Sequence, residues 1–234
     1  MAFSVEQHLP SPSLFALICS LYFFIFSLLL HKSNAQDATL DPSEAGALSS
    51  LFQQWNATAV PLWNISGEPC SGSAINGTGF EDPSNNPAIK CDCSYDNATT
   101  CHITQLRVAA LDKRGIIPEE LTALTYLMVL KIDKNYFTGP LPAFIGKLSA
   151  LIILSISHNG FSGTLPKELG SLKELLMLSI GSNYFSGTLP PELGNLVKLE
   201  QLFLGNNSLS GILPSRKSEQ LQNISFNYDI SPKG

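Results

Sequence analysis

The sequence has little charge and no cluster of basic residues. Lys and Arg together number 14, Asp and Glu number 19, and the formal net charge of the 234 residues is −5. Proteins that bind nucleic acid or anionic lipid usually collect Lys and Arg on one face or along one segment. The composition therefore excludes nucleic acid and anionic membrane surfaces as expected partners.

The sequence also lacks the motifs of catalysis. It contains no Gly-x-Gly-x-x-Gly loop, no Gly-x-Ser-x-Gly elbow, no His-x-x-x-His pair and no kinase signature. No pattern predicts a cofactor or a metal ion, and His158 is interpreted as a solvated, variable position. We predict that this chain is not an enzyme and acts by binding alone.

Only one long hydrophobic run is present, over Leu14–Leu30. Ser33-Asn34-Ala35 follows it, and small residues at these spacings are typical of a signal-peptide cleavage site. We predict that residues 1–35 are a signal peptide cleaved before Gln36. A retained signal anchor is the alternative, because the run is long and no Lys or Arg precedes it. Membrane attachment would otherwise need a span outside this chain.

Cysteine is scarce, and four cysteines follow the predicted cleavage site: Cys70, Cys91, Cys93 and Cys101. An even number in a secreted chain favours disulfides. Cys91 and Cys93 are too close to bridge each other, so each is expected to pair with Cys70 or Cys101. The sequence leaves both connectivities open, and a zinc site that includes His102 is the rival interpretation.

A 24-residue unit repeats along the second half of the chain, and its asparagines align at Asn135, Asn159, Asn183 and Asn207. An upstream copy starting at Ile103 keeps the leucine spacing but has Leu111 at the Asn position. A fixed period of this length with this spacing predicts an α/β repeat fold, a leucine-rich-repeat solenoid. We place five repeats over residues 103–214.

Each position of the unit has an expected role. The alternation in Leu130-Lys131-Ile132 predicts a short strand with both apolar residues buried and Lys131 on a concave sheet. The aligned asparagines are expected to bond backbone groups where the chain leaves the strand, because an unpaired buried group costs about 1–3 kcal/mol. Glycines at a bend after each strand are expected to adopt positive φ: Gly139, Gly163, Gly187 and Gly211.

Residues 36–102 are predicted to form an N-terminal cap. Asp41-Pro42-Ser43-Glu44 is typical of a helix start, with Asp as the N-cap, Pro at the first position and Glu at the third. A helix over about 42–55 would cover the first coil with the apolar residues Ala45, Leu48, Phe52 and Trp55. Trp55 and Trp63 are interpreted as packing groups.

Six Asn-x-Ser/Thr sequons follow the signal segment: Asn56, Asn64, Asn76, Asn97, Asn206 and Asn223. In a secreted chain such sequons are N-glycosylation acceptors on the surface. We predict a glycoprotein whose cap, which holds four of them, faces water rather than a partner.

The repeat closely resembles the plant-type leucine-rich repeat, Asn-x-[Phe/Leu]-[Ser/Thr]-Gly-x-[Leu/Ile]-Pro-x-x-[Leu/Ile]-Gly-x-Leu, over roughly residues 37–214. That repeat is used in ectodomains of plant receptor-like kinases and in secreted plant inhibitors of wall-degrading enzymes. The cap stretch from Trp63 to Cys70 resembles Trp-Asn-x-Ser-Gly-x-Pro-Cys of plant repeat caps. The segment Gly72–Pro87 with Cys91-Asp-Cys93 resembles receptor kinases that also carry a malectin-like domain. This implies that a malectin-like domain, a membrane span and a Ser/Thr kinase follow in such relatives.

Binding is expected on the concave sheet, because its outward-facing residues differ from repeat to repeat while the Leu, Asn, Gly and Pro positions stay the same. The predicted ligand-binding residues are Arg107, Met128, Val129, Lys131, Asp133, Ile152, Ile153, Ser155, Ser157, His158, Leu176, Met177, Ser179 and Phe203. They include an apolar stripe beside a small polar floor, which suits an extended peptide or a protein edge. The alternative is that the stripe packs against adjacent structure.

The tail over residues 215–234 is predicted to be irregular or a defective sixth repeat, with no cysteine-bearing C-terminal cap. We therefore predict an extracellular module, in the apoplast or at the cell membrane as part of a longer receptor. Its expected partners are a peptide, protein or wall-derived ligand and a co-receptor. The alternatives are a secreted inhibitor of wall-degrading enzymes, similar to polygalacturonase inhibitors, and an early-terminated fragment of a membrane receptor kinase.

Overall fold

The structure is a computed structural model that describes residues 38–61, 63, 65, 67–72, 79–211 and 225–227, the last three by their backbone alone. The predicted signal segment 1–35 lies outside the described residues, as do Asn64, Asn76, Asn223 and most of the tail. Within the described ranges, no helix is long and apolar enough to cross a membrane.

The cap consists of a short strand, a helix and a β-hairpin: β1 (Thr39–Leu40), α1 (Pro42–Gln54), β2 (Ala88–Tyr95) and β3 (Thr100–Arg107). The predicted helix start is confirmed, because Asp41 Oδ1 accepts the backbone N–H groups of Ser43 and Glu44 at 2.9 and 3.2 Å. Trp55, directly after α1, is buried and donates from Nε1 to Ile116 O at 2.9 Å. The helix therefore covers the first coil as expected.

Two disulfides hold the cap loops, Cys70–Cys91 and Cys93–Cys101. Cys91 and Cys93 do not pair with each other, as their close spacing required. The observed pairing is one of the two connectivities that the sequence left open. The rival zinc interpretation was wrong, because all four thiols are consumed in these bonds.

Parallel strands stack into a concave sheet in the order β1-β3-β5-β7-β9-β11-β13, with β2 antiparallel on β3. The coil strands are β5 (Val129–Lys131), β7 (Ile153–Ser155), β9 (Met177–Ser179), β11 (Gln201–Phe203) and β13 (Ser225–Asn227). Equivalent residues pair directly, as in Val129 with Ile153 and Ile153 with Met177. The pairing of β13 with β11 shows that the tail adds a strand to the stack.

A second parallel sheet follows the bend of each coil, with β4 (Arg114–Gly115), β6 (Tyr136–Gly139), β8 (Gly160–Gly163), β10 (Tyr184–Thr188) and β12 (Ser208–Ser210). The sequence analysis did not predict this sheet. Short 3-10 helices close the back of the coils over Glu119–Ala123, Ala143–Lys147, Lys167–Ser171 and Pro191–Asn195. The regular α-helix of the described chain is thus confined to the cap.

The core is continuous from the cap through the coils. Leu130, Leu154 and Leu178 point inward from the concave strands and are fully buried. Phe137, Phe161 and Phe185 stack behind them with ring centroids 6.3 and 6.2 Å apart. Trp55 adds an edge-to-face contact with Phe137 at 5.2 Å, so the cap extends the aromatic column.

The aligned asparagines form the predicted column of backbone hydrogen bonds. Asn183 Nδ2 donates to the carbonyls of Ile156, Ile180 and Gly181 at 3.1, 3.0 and 3.2 Å, and its Oδ1 accepts Phe161 N–H at 3.1 Å. The same donor pattern occurs at Asn135, Asn159 and Asn207. Each asparagine thus bonds its own coil and the preceding one.

The first coil has Leu111 where the later coils have asparagine, but its turn is still bonded. Asn135 Oδ1 of the next coil accepts the N–H groups of Leu111 and Lys113 at 3.1 and 3.0 Å. The predicted positive φ also holds at the four bend glycines: Gly139, Gly163, Gly187 and Gly211.

Glu44 serves a different purpose from a simple helix-start residue. Its side chain is buried, Oε2 accepts Ile103 N–H at 2.6 Å, and Oε1 lies 2.7 Å from His102 Nδ1. On this edge β3 pairs with β1 at Thr100 and Cys101 and with β5 from Gln105 onward, and Glu44 bonds the backbone between these two stretches. Burial raises the pKa of the Glu44 carboxyl, and the hydrogen bonds from Ile103 and His102 oppose this shift.

Replacing Gly146 by Ala should lower the free energy of unfolding by about 1–3 kcal/mol, because the added Cβ meets a fixed backbone. That Cβ would lie 2.5 Å from Glu168 O in the next coil. Gly46→Ala is the control, since no atom lies within 4 Å of its added Cβ and Ala favours a helix by about 0.5–1 kcal/mol. Denaturant unfolding that ranks the two variants equally would contradict the close approach of the coils.

The raised pKa of Glu44 predicts a specific pH dependence of stability. The folded state favours the protonated carboxyl, so its contribution is fully present below the ordinary pKa of 4.5 and is lost as pH rises through the higher folded pKa. Measured between about pH 4 and pH 7, the unfolding free energy should fall more steeply for the wild type than for Glu44→Gln. Parallel curves would show that burial does not penalise the charged carboxylate.

Candidate functional site

A cap segment lies across the N-terminal end of the concave sheet. We call residues 79–87 the cap loop. Phe80 of this loop is 4% exposed and packs with Ala88, Val129 and the half-buried Ile153. The loop therefore covers the outward side of the first coil strands.

Arg107 pins the cap loop to the sheet. Its Nη1 donates to Phe80 O at 2.6 Å and its Nη2 donates to Asp82 O at 2.9 Å. Its buried Nε has no hydrogen-bond partner among the described residues. Both terminal guanidinium nitrogens of Arg107 therefore donate hydrogen bonds to the backbone of the cap loop.

Further contacts fix the loop on either side of Arg107. Lys131 Nζ pairs with Glu81 Oε1 at 2.5 Å, and the Asn86 side chain bonds both backbone groups of Ala109. Within the loop, hydrogen bonds from the Ser84 side chain and backbone hold the pKa of Asp82 below its ordinary value. The loop is anchored by side-chain and backbone contacts along its length.

Three predicted ligand-binding residues do not lie on open surface. Arg107 and Val129 are 7% and 9% exposed because the cap loop covers them, so the prediction that they face a ligand was wrong. Ser157 is also buried, and its Oγ lies 2.7 Å from Ser179 Oγ in the next coil. At Val129 and Ile153 the apolar stripe packs against adjacent structure, which was the alternative interpretation.

The remaining predicted residues, apart from Ile153 beside the cap loop, form one accessible region, which we call the open concave face: Met128, Lys131, Asp133, Ile152, Ser155, His158, Leu176, Met177, Ser179 and Phe203. Met128 is 38% exposed, His158 is exposed and the others are half-buried. Together they expose an apolar column, Met128, Ile152 and Leu176, beside small polar side chains.

The register fixes the dimensions of this face. Lys131, Ser155, Ser179 and Phe203 occupy equivalent positions on four neighbouring strands. With strands about 4.8 Å apart, Lys131 and Phe203 are separated by about 14 Å along the stack. An extended chain rises about 3.3–3.6 Å per residue, so this length matches about four peptide residues.

The floor between these ends is shallow because its side chains are small. Ser155 and Ser179 lie between Lys131 and Phe203 and offer hydroxyl groups, while Gly181 has no side chain. Among the described residues, no group of His, Cys, Asp and Glu is placed to hold a metal ion. The arrangement offers hydrogen bonds and apolar contact to a partner.

The sequence analysis missed the cap loop as part of this face. Phe80, Glu81 and Asn86 lie in a Gly-, Ser- and Asn-rich stretch that carries no periodic signal. The available signal was a lone aromatic residue between Cys70 and Cys91, since their disulfide ties the stretch to the sheet. Tyr136 and Tyr184 of the second sheet are also exposed, at 52% and 71%, but lie outside this face.

The Leucine Rich Repeat family profile matches residues 150–172, 174–196 and 198–216. Two similar proteins of Arabidopsis thaliana are probable LRR receptor-like serine/threonine-protein kinases, At1g56130 and At1g56140. They are 49% and 46% identical over 100 residues, which is 42% of this chain and 10% of each relative. The chain thus spans about a tenth of the length of these curated relatives.

Solved structures of plant receptor-kinase ectodomains are also similar to this chain. The LRR ectodomain of the receptor kinase SOBIR1 from Arabidopsis thaliana has a TM-score of 0.62 and 25% identity, over 82% of this chain and 93% of that one. A chain of the Arabidopsis BIR3–SERK2 complex has a TM-score of 0.52 and 26% identity, over 68% and 85% of the two chains. The PEPR1–AtPEP1 structure has a TM-score of 0.56 and 30% identity, over 74% of this chain and 22% of that one.

The repeats, the disulfide-bonded cap and these similarities agree with one another. The chain therefore has a leucine-rich-repeat fold, its homologues are named LRR receptor-like serine/threonine kinases, and its structural neighbours are plant receptor-kinase ectodomains.

Proposed function

We propose that this chain is an extracellular recognition module that binds a peptide or protein partner on the open concave face. The observation that carries the proposal is the accessible apolar column of Met128, Ile152 and Leu176 beside a floor of serine hydroxyls. Contiguous exposed apolar surface rimmed by polar groups is typical of protein interaction sites. The module acts by binding, and any signalling belongs to other parts of a longer receptor.

The shape of the face favours an extended segment over a compact small molecule. The floor is shallow and about 14 Å long between Lys131 and Phe203, whereas small-molecule sites are concave and enclose most of their ligand. Serine hydroxyls can bond the main chain of a peptide, and the apolar column can take alternate side chains. A wall-derived oligosaccharide offers hydroxyls to the floor but no apolar side chains for the column.

The solved neighbours support a protein partner. One of them is a complex of BIR3 with SERK2, and another is PEPR1 with AtPEP1. By analogy, the partner of this chain is a secreted peptide or the ectodomain of a co-receptor. The relatives named receptor-like serine/threonine kinases support placing the chain outside the cell, as part of a longer receptor that carries a kinase.

Met177→Glu should weaken partner binding at least about tenfold, because a charge on the apolar side of the face must be desolvated and tenfold corresponds to about 1.4 kcal/mol. Suitable probes are the SERK2 ectodomain and peptides selected from a displayed library of random linear sequences, with binding measured by interferometry. Met177 is chosen over Ile153, which packs beside the cap loop.

Val197→Glu is the matched control for this substitution. Val197 is 45% exposed and lies two residues after the last 3-10 helix on the back of the coils, so the same change there should leave binding intact. Equal affinity of the two variants for every probe would remove the open concave face as the site. A library that yields no binder sensitive to Met177→Glu would do the same.

Arg107→Met should loosen the cap loop, because the variant keeps an apolar stem but loses both bonds to the loop carbonyls. Amide hydrogen exchange of residues 79–86 should accelerate markedly relative to the rest of the sheet. Lys131→Met removes only the ion pair to Glu81, which is 68% exposed, and should have a smaller effect. Unchanged exchange in Arg107→Met would show that the guanidinium does not anchor the loop.

A further inference from the structure

The open concave face carries both methionines that follow the predicted signal segment. The chain has three methionines, and Met1 lies in that segment. Met128, which directly precedes β5, is 38% exposed, and Met177, which begins β9, is half-buried. Because β7 is the strand between β5 and β9, the two methionines are about 10 Å apart along the stack. One extended segment of about three residues covers that distance.

These two thioethers are the reduced sulfur atoms of residues 36–234. The four cysteines of that range are all joined, in the disulfides Cys70–Cys91 and Cys93–Cys101. A peroxide oxidises a methionine thioether to a sulfoxide, and these residues offer no free thiol to compete for it. Oxidation at sulfur is therefore directed to the open concave face.

The repeat does not require methionine at either position. Ile152 and Leu176 are the equivalents of Met128 in the next two coils, and Ile153 pairs in register with Met177. Neither methionine belongs to the continuous core of the described residues. A polar group at either position therefore changes the face and leaves the packing of the stack intact.

We propose that Met128 and Met177 are modification sites, at which a peroxide converts the thioether to a sulfoxide and lowers the affinity of the open concave face for its partner. A lone pair of the sulfur attacks one peroxide oxygen, an S–O bond forms and the O–O bond breaks. The second oxygen leaves with the bonding electrons and takes the proton of the transferred oxygen, which gives water from hydrogen peroxide. Sulfur loses two electrons and the peroxide gains them. The inference rests on the proposed function of this face.

The sulfoxide alters the apolar side of the face. Its S–O group is polar, so burying it against an apolar side chain of a partner is unfavourable. Oxidation of both methionines should weaken binding by about threefold to tenfold, which is less than the effect of the full charge in Met177→Glu. Met128 should react before Met177, because more of its side chain is exposed.

The test oxidises the full chain with hydrogen peroxide, removes the peroxide by desalting, and locates the sulfoxides by peptide mass spectrometry. Binding is then measured by interferometry with the SERK2 ectodomain and with library peptides that lack Met and Cys. Affinity should fall as sulfoxide accumulates, while the unfolding temperature stays unchanged. Methionine sulfoxide reductases for both sulfoxide epimers should restore the affinity, with mass spectrometry confirming that both disulfides remain.

The matched control is the double variant Met128→Leu, Met177→Ile, which has the residue types of Leu176 and Ile153 at the two positions. Each protein is compared with itself before and after peroxide, so a changed starting affinity of the variant does not affect the result. The ratio of the two affinities should stay near one in the double variant and fall in the wild type.

The other results each contradict a defined part of the inference. Unchanged affinity of the fully oxidised chain for a probe that Met177→Glu weakens would overturn the regulation and leave the proposed binding face intact. An equal loss in the double variant would overturn the role of the two methionines. Thioethers that stay reduced in peroxide would overturn the modification itself. A set of probes of which none is sensitive to Met177→Glu would overturn the proposed function, and this inference with it.

Discussion

No coil of this protein can satisfy its own backbone and apolar surface, and this constraint governs the rest of the structure. Asn183 shows it most directly, because one amide bonds carbonyls of its own coil and of the coil before it. Leu154 and Leu178 are fully buried because residues of the neighbouring coils pack against them. Stability is therefore shared along the stack, and each end needs a cover.

The N-terminal cover meets this need with several independent contacts. Trp55 joins the aromatic column through Phe137, and Glu44 supplies the acceptor that β3 lacks between its two parallel neighbours. Because the cap must also close over the sheet, its disulfide-bonded loop extends onto the concave side. Arg107 and Val129, which hold the loop there, are thereby buried.

The open concave face is thus the part of the sheet that the cap leaves uncovered. The repeat requires Leu, Asn and Gly at fixed positions. Outward-facing strand positions such as Met177 and Ser179 are therefore the ones that differ between coils. The cap loop buries Arg107 and Val129, the first of these positions, and the open concave face begins at Met128 and Lys131. The cap therefore sets where the open concave face starts as well as closing the core.

The sequence by itself determined the repeat, the strand register, the asparagine column, the bend glycines and the helix start at Asp41, because each depends on contacts that recur at a fixed spacing. It also showed which cysteines could pair. Tertiary structure decided which cysteines do pair, added the second sheet, and placed Phe80 over Val129. These features depend on contacts between segments far apart in the sequence, such as Arg107 Nη1 with Phe80 O, and local periodicity carries no information about such contacts.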